Sequence, residues 1–176
     1  MTNIVLIGYR GTGKTVVGKK LAEILDRKLI EMDQLIIEKA GMSIPEIIEN
    51  YGWDRFRDIE SEVAKKVSKL NNCVIDTGGG VILRKENVDN LKKNGIIILL
   101  KADIKNIIKR IKDDKQRPSL TSKKSFVEEV EEVLKQRKKM YEDAGDFFID
   151  TSKLSLEETV SRIISYLKTK NVIKKH

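Results

Sequence analysis

The chain has 176 residues, 40% hydrophobic and 35% charged, which supports one domain whose core needs no metal or disulfide staple. With a lone cysteine (Cys73), no apolar run longer than residues 96–100 and no leader-like amino terminus, neither a disulfide framework nor a membrane span nor secretion is expected. The net charge of +8 favours anionic ligands, but the lysines alternate with glutamates on helix faces and few aromatic residues exist to stack on bases, which argues against nucleic acid.

Strand-like and helix-like segments then alternate to the end of the chain. Asn3 to Gly8 reads as a buried strand and Lys14 to Leu25 as a helix aligned on Val17, Leu21 and Leu25. Leu29 to Met32 is a short strand, and Asp33 starts a helix through Ile36, Ile37 and Ala40. Ser43, followed by Pro45 and Glu46, signals the N-cap of a helix holding Ile44, Ile47, Ile48 and Tyr51. A longer helix follows, with Phe56, Ile59, Val63, Val67 and Leu70 at helical spacing. Strand Cys73 to Ile75, a glycine turn and a helix near Lys85 to Lys93 come next. Strand Gly95 to Lys101 precedes a helix with Ile104, Ile107, Ile108 and Ile111. Residues 113–125 are polar and without period, hence a loop. Phe126 to Tyr141 is helical, Phe147 to Ile149 is a fifth strand, and Leu156, Val160, Ile163, Ile164 and Leu167 mark a closing helix. Apolar strands separated by helices imply a parallel sheet covered on both faces, the three-layer α/β class. One domain spanning 1–176 is expected, as a cytoplasmic monomer with no membrane partner.

Gly8 to Thr15 (GYRGTGKT) fits G-x-x-x-x-G-K-[ST] at every fixed position, after a strand and at the start of a helix. Glycines let the backbone fold into a nest whose N–H groups, with the helix N-terminus, face phosphate oxygens. Lys14 adds a point charge for the outer phosphates, and the Thr15 hydroxyl suits Mg²⁺, a hard ion that prefers oxygen. A nucleoside triphosphate bound with Mg²⁺ is the reading. No Asn-Lys-x-Asp follows to read guanine, and the chain is short for a motor ATPase. A small kinase remains, needing positioning, charge stabilisation and a group near the acceptor hydroxyl.

Further segments define the acceptor. Glu31-Met32-Asp33 places carboxylates at the end of the second strand, where ligands bind in open α/β sheets. Arg57 and Glu60 stand at i, i+3 on one helix, so the glutamate can orient the guanidinium. Asp76-Thr77-Gly78-Gly79-Gly80 follows the third strand, and its glycines allow close approach of backbone to ligand. Arg137 lies on the stripe Val130, Val133, Leu134, Tyr141, a costly place for a guanidinium unless it meets an anion. Each also has an ordinary structural role open to it. Asp33 could be an N-cap, Arg57 a surface ion pair, the glycines a turn, and Arg137 could snorkel outward. Together, two arginines suggest an acceptor with a carboxylate, and Asp33 suggests hydroxyls.

With these features in this order, the sequence resembles the shikimate kinase family over essentially its whole length. The matching residues are GYRGTGKT, Asp33, FRDIE around Arg57, TGGG at 77–80, Gln116-Arg117-Pro118, and Arg137 four residues before Tyr141. The resemblance implies ATP-dependent phosphorylation of the shikimate 3-hydroxyl, in aromatic amino-acid biosynthesis, on a sheet of strand order 2-3-1-4-5. By family analogy Asp33, Arg57, Gly79 and Arg137 contact shikimate, while Gly11, Thr12, Gly13, Lys14, Thr15, Val16 and Arg117 contact ATP. Arg110 matches a family arginine beside the adenine. Lys14, Asp33 and Arg117 are the expected catalytic residues, with 113–125 as a lid and 33–60 as the acceptor-binding helical segment. The chain departs from the family pattern at Glu31, where an aspartate is usual, at Asp76, where a small residue is usual, and at Ser119, where leucine is common. Glu31 and Asp76 are therefore candidates for the outer shell of the Thr15-bound magnesium; Asp76 could instead satisfy N–H groups of the glycine turn. A gluconate kinase, which also meets a carboxylate and hydroxyls, and a module that holds ATP without turnover are the competing readings.

Overall fold

A computed structural model describes residues 2–111 and 126–174. Parallel strands β1 (Asn3–Ile7), β2 (Lys28–Glu31), β3 (Cys73–Asp76), β4 (Gly95–Lys101) and β5 (Phe147–Asp150) form one sheet in the order β2-β3-β1-β4-β5. Successive side chains on a strand point to opposite faces, so a sheet covered on both sides needs apolar residues throughout. β1 meets that requirement. Val5 and Ile7 enter one core cluster, Ile4 and Leu6 the other.

Helices α1 (Lys14–Leu25) and α7 (Leu156–Thr169) cover one face through Val17, Leu21, Val160, Ile163 and Leu167. The opposite face is covered by α2 (Met32–Ala40), α3 (Ile44–Val67), α4 (Lys85–Lys92) and α6 (Phe126–Ala144), which supply Ile36, Phe56, Val63, Leu91 and Tyr141. A third cluster joins Tyr9 to Ile107 and Ile111 of α5 (Ile104–Ile111) and to Val130 and Val133 of α6. It supports the segment between β1 and α1 from below.

Some boundaries differ from the sequence reading. Met32 opens α2 rather than closing β2, and Leu70 lies past the end of α3. The two helices expected around Ser43 and after Tyr51 are both present within α3, separated at Gly52, whose φ of 80° and ψ of 171° are not helical. Its start is as expected: Ser43 Oγ accepts from the Glu46 N–H at 3.4 Å, and the Ser43 N–H donates to Glu46 Oε2 at 2.7 Å. The triple glycine leads into a short 3₁₀ turn, Val81–Leu83. Segment 113–125, with Arg117 and Ser119, lies outside the described residues. Among the described residues no helix is long and apolar enough to cross a membrane.

Because all strands run the same way, their carboxyl ends share one edge. The loop after β1, Glu31 at the end of β2 and Asp76 at the end of β3 are gathered there, where α/β sheets bind ligands.

Candidate active site at the carboxyl edge of the sheet

A cleft of about 930 Å³ opens at this edge. Its wall includes residues 10–17, Glu31, Asp33, residues 76–79, Arg110 and Thr151. The loop from Gly8 to Gly13 turns through positive φ at both of those residues and at Gly11, and a Cβ on Gly11 would stand 2.7 Å from Ile111 Cγ2. Gly13 is the left-handed N-cap of α1, and the first turn of that helix has no acidic residue to offset its positive end. Lys14 folds back over the loop, donating to Gly8 O at 2.9 Å and to Tyr9 O at 3.2 Å. Thr12 donates its hydroxyl to Tyr9 O at 2.7 Å, whereas the Val16 side chain is exposed. Val16 can therefore serve phosphate only through its backbone.

Arg110 braces the same loop. Its Nη1 donates to Gly11 O at 3.0 Å and its Nη2 to Thr151 O at 3.4 Å. The Thr151 hydroxyl lies 3.0 Å from Thr12 O and 3.1 Å from Lys101 O, linking β4, β5 and the loop. Neither this threonine nor Arg10 is a sequence candidate. Arg10 reaches Glu129 at 4.0 Å and packs its guanidinium 5.8 Å from the ring centres of Tyr9 and Phe126, tying the loop to α6. For Thr151 a signal existed: it directly follows the last strand, at the edge where ligands bind. For the Arg10 contact none did.

On the acceptor side, Asp33 is half-buried in the first turn of α2, and the N-cap position belongs to Glu31, so the N-cap role considered for Asp33 is overturned. Glu31 is exposed and makes no capping hydrogen bond. The Arg57–Glu60 pair is no surface ion pair. Nη1 and Oε2 are 2.6 Å apart, Arg57 is buried and Glu60 is fully so. The guanidinium carbon lies 4.8 Å from the Phe56 ring centre and 5.5 Å from that of Trp53. A charge held this way is expensive to desolvate and is kept in place by several partners at once.

Arg137 turns inward. Its Nη1 donates to Gly79 O at 3.4 Å, and the Tyr141 hydroxyl donates to the same carbonyl. Neither Arg57 nor Arg137 lines the cleft described above; they approach the triple glycine from α3 and α6. The predicted residues thus form two neighbouring groups joined by residues 76–80, with Arg117 outside the described residues.

Asp76 is buried, and its Oδ2 accepts the Thr15 hydroxyl at 2.7 Å. Its side chain is therefore engaged by the P-loop, not by N–H groups of the glycine turn. Burial pushes its pKa above the ordinary aspartate value; the Lys14 ammonium and the Thr15 hydrogen bond pull against that shift. Thr15, Asp76 and Glu31 present only oxygen, which fits Mg²⁺. Among the described residues no three His, Cys, Asp or Glu side chains could hold a metal by themselves.

Comparisons with known proteins identify the family. The family model for shikimate kinase matches residues 10–168. The chain is 44% identical to a shikimate kinase of Caldicellulosiruptor bescii over 165 residues, covering 94% of this chain and 95% of that one. It is 45% identical to one of Thermodesulfovibrio yellowstonii over 164 residues, covering 93% and 94%. The solved shikimate kinase of Acinetobacter baumannii in complex with shikimate superimposes with a TM-score of 0.92 at 31% identity, covering 98% of this chain and 96% of that one. A gluconokinase of Sinorhizobium meliloti shares the fold alone, at a TM-score of 0.59 and 13% identity. On the extent of the family match and the identity of its relatives, the chain belongs to the shikimate kinase family.

Proposed function

We propose that this protein transfers the terminal phosphoryl group of ATP to the 3-hydroxyl of shikimate, giving ADP and shikimate 3-phosphate in aromatic amino-acid biosynthesis. The observation that carries the reading is the approach of Arg57 and Arg137 to adjacent glycines beside a phosphate-binding loop. Cations meant for a carboxylate stand next to a cradle meant for phosphates.

Backbone N–H groups of residues 11–16 bind the phosphates, and Arg110 lies beside the adenine. Arg57, held by Glu60, and Arg137 grip the acceptor carboxylate, with Gly79 offering backbone. Asp33 accepts the proton of the acceptor hydroxyl as its oxygen attacks the terminal phosphorus and the bond to the ADP oxygen breaks. Lys14, released from Gly8 O and Tyr9 O, stabilises the charge that develops on the transferring group, and Arg117 adds to it from segment 113–125. Thr15 would hold Mg²⁺, with Glu31 and Asp76 as the neighbouring carboxylates, and the ion would supply charge neutralisation on the phosphate oxygens. The chain works as a single cytoplasmic domain and a monomer, with 113–125 as its lid and 33–60 as its acceptor-binding segment.

The test is ADP release from ATP with shikimate, with gluconate and with no acceptor. Shikimate-dependent release supports the proposal. Release that prefers gluconate would replace it with the related small-acid kinase, and no release with either would leave a nucleotide-binding module.

A further inference from the structure

The proton and phosphoryl transfers described above give Asp76 no direct part. It is nonetheless placed with care. It ends β3 in register with Leu6 of β1, two residues before Gly8, and with Glu31 at the end of β2. It is 8% exposed, and it lines the same cleft as Lys14 and Thr15. Its Oδ2 takes the proton of the Thr15 hydroxyl at 2.7 Å.

A hydroxyl has one proton and two lone pairs. With its proton committed to a carboxylate, Thr15 keeps lone pairs for a cation and has its rotor fixed. Carboxylates behind a ligand commonly act this way, orienting it and raising its basicity. The second oxygen of Asp76, which Thr15 does not use, is suited to accept from a water on the ion. Glu31, by contrast, is exposed and makes no capping bond. The carboxylate engaged with the P-loop hydroxyl is therefore the one on β3, not the one on β2.

We propose that Asp76 is a positioning residue for the magnesium of bound nucleotide, fixing the Thr15 hydroxyl as an oxygen donor and accepting a hydrogen bond from metal-bound water. This rests on the Mg²⁺–nucleotide reading given above. The competing role for the same hydrogen bond is a brace between β3 and α1. The two roles diverge when nucleotide binding is measured with and without metal. A carboxylate beside phosphates repels them unless a cation lies between, so a positioning Asp76 helps Mg²⁺·ADP and opposes bare ADP. A brace would affect both alike.

The experiment is calorimetric titration of the full chain with ADP, in excess Mg²⁺ and in EDTA, for wild type, Asp76→Asn, Asp76→Ala and Glu31→Gln. Thermal melts accompany each variant to verify folding. Wild type should bind ADP more tightly with Mg²⁺. In both Asp76 variants that gain should shrink by roughly 10–100-fold, the usual effect of losing a partner behind a metal ligand, while affinity for metal-free ADP is equal or higher. Glu31→Gln should lose less. Thr15→Val should also lose the gain, and adding Asp76→Asn to it should cost little more, since both act through one contact. An unchanged magnesium gain in the Asp76 variants would overturn the proposal, as would equal losses with and without metal in a folded variant. A wild type that binds ADP without any magnesium gain would instead strike at the nucleotide reading itself.

Discussion

The guanidinium of Arg57 occupies the space where a side chain on Gly80 would begin: a Cβ built there stands 2.2 Å from Nη1. The arginine and the glycine turn are therefore one unit. Glu60, Phe56 and Trp53 hold the guanidinium from behind while the bare backbone admits it in front. Gly80→Ala should push Arg57 off its seat. Displacing a buried charged partner costs on the order of 2–5 kcal/mol, so shikimate kcat/KM should fall roughly 30-fold or more. Binding of ADP, measured separately, should change little. A variant with normal acceptor kinetics would show that Arg57 does not bind shikimate.

The carboxylate itself gives a second test. If Arg57 and Arg137 grip it, an acceptor lacking it leaves charges poorly paired in the site. Shikimate reduced to its primary alcohol should be a very poor acceptor, with kcat/KM lowered by the equivalent of about 2–5 kcal/mol. Near-equal turnover of the two compounds would contradict the assignment of both arginines.

Asp33→Asn keeps shape and hydrogen bonding but removes charge and basicity. Turnover should drop by ~10²-fold or more, with ATP affinity nearly unchanged because Lys14 and the loop are untouched. Parallel loss of both quantities would move Asp33 from the acceptor to the nucleotide.

How much of this was legible in the sequence varies with the range of the interactions involved. Local patterns read well. The unbroken apolar runs of β1 and β4 mark two-sided burial, and Ser43 with Glu46 marks the start of α3. The P-loop carries its chemistry within eight residues. The break between the two helices of α3, at Gly52, also lies where the sequence reading put it, but one boundary was less visible: Met32 belongs to a helix although its apolar side chain suits a strand. Contacts between side chains distant in sequence were legible only in part: the magnesium reading put Asp76 near Thr15 without their direct hydrogen bond, and the Arg10–Glu129 contact left no sign. Thr15 with Asp76 and Arg10 with Glu129 meet only because the sheet and α6 bring their elements together. The i, i+3 pairing with Glu60 and the apolar stripe of α6 singled out Arg57 and Arg137, but their shared approach to Gly79 and Gly80 became visible only in three dimensions.

The capping box of α3, the helix that carries Arg57, predicts a pH dependence of stability. Hydrogen bonds from Ser43, from its side chain first and its backbone second, hold the Glu46 carboxyl below the usual glutamate value of 4.5. A lowered folded pKa means the stabilisation is present above the unfolded value and is lost as pH falls through the folded one. Glu46→Gln should thus melt below wild type at neutral pH, and the two curves should converge in acid, at pH below 4.5. A gap in melting temperature that stays constant with pH would remove the carboxylate from the account.

The central claim is that the phosphoryl group goes to one hydroxyl of one acid. The direct measurement is ³¹P–¹H correlation NMR of the product formed from ATP and shikimate. The account predicts a single phosphomonoester coupled to the proton on C3, with ADP formed in equal amount. Coupling to C4 or C5, or ADP accompanied only by inorganic phosphate, would contradict it.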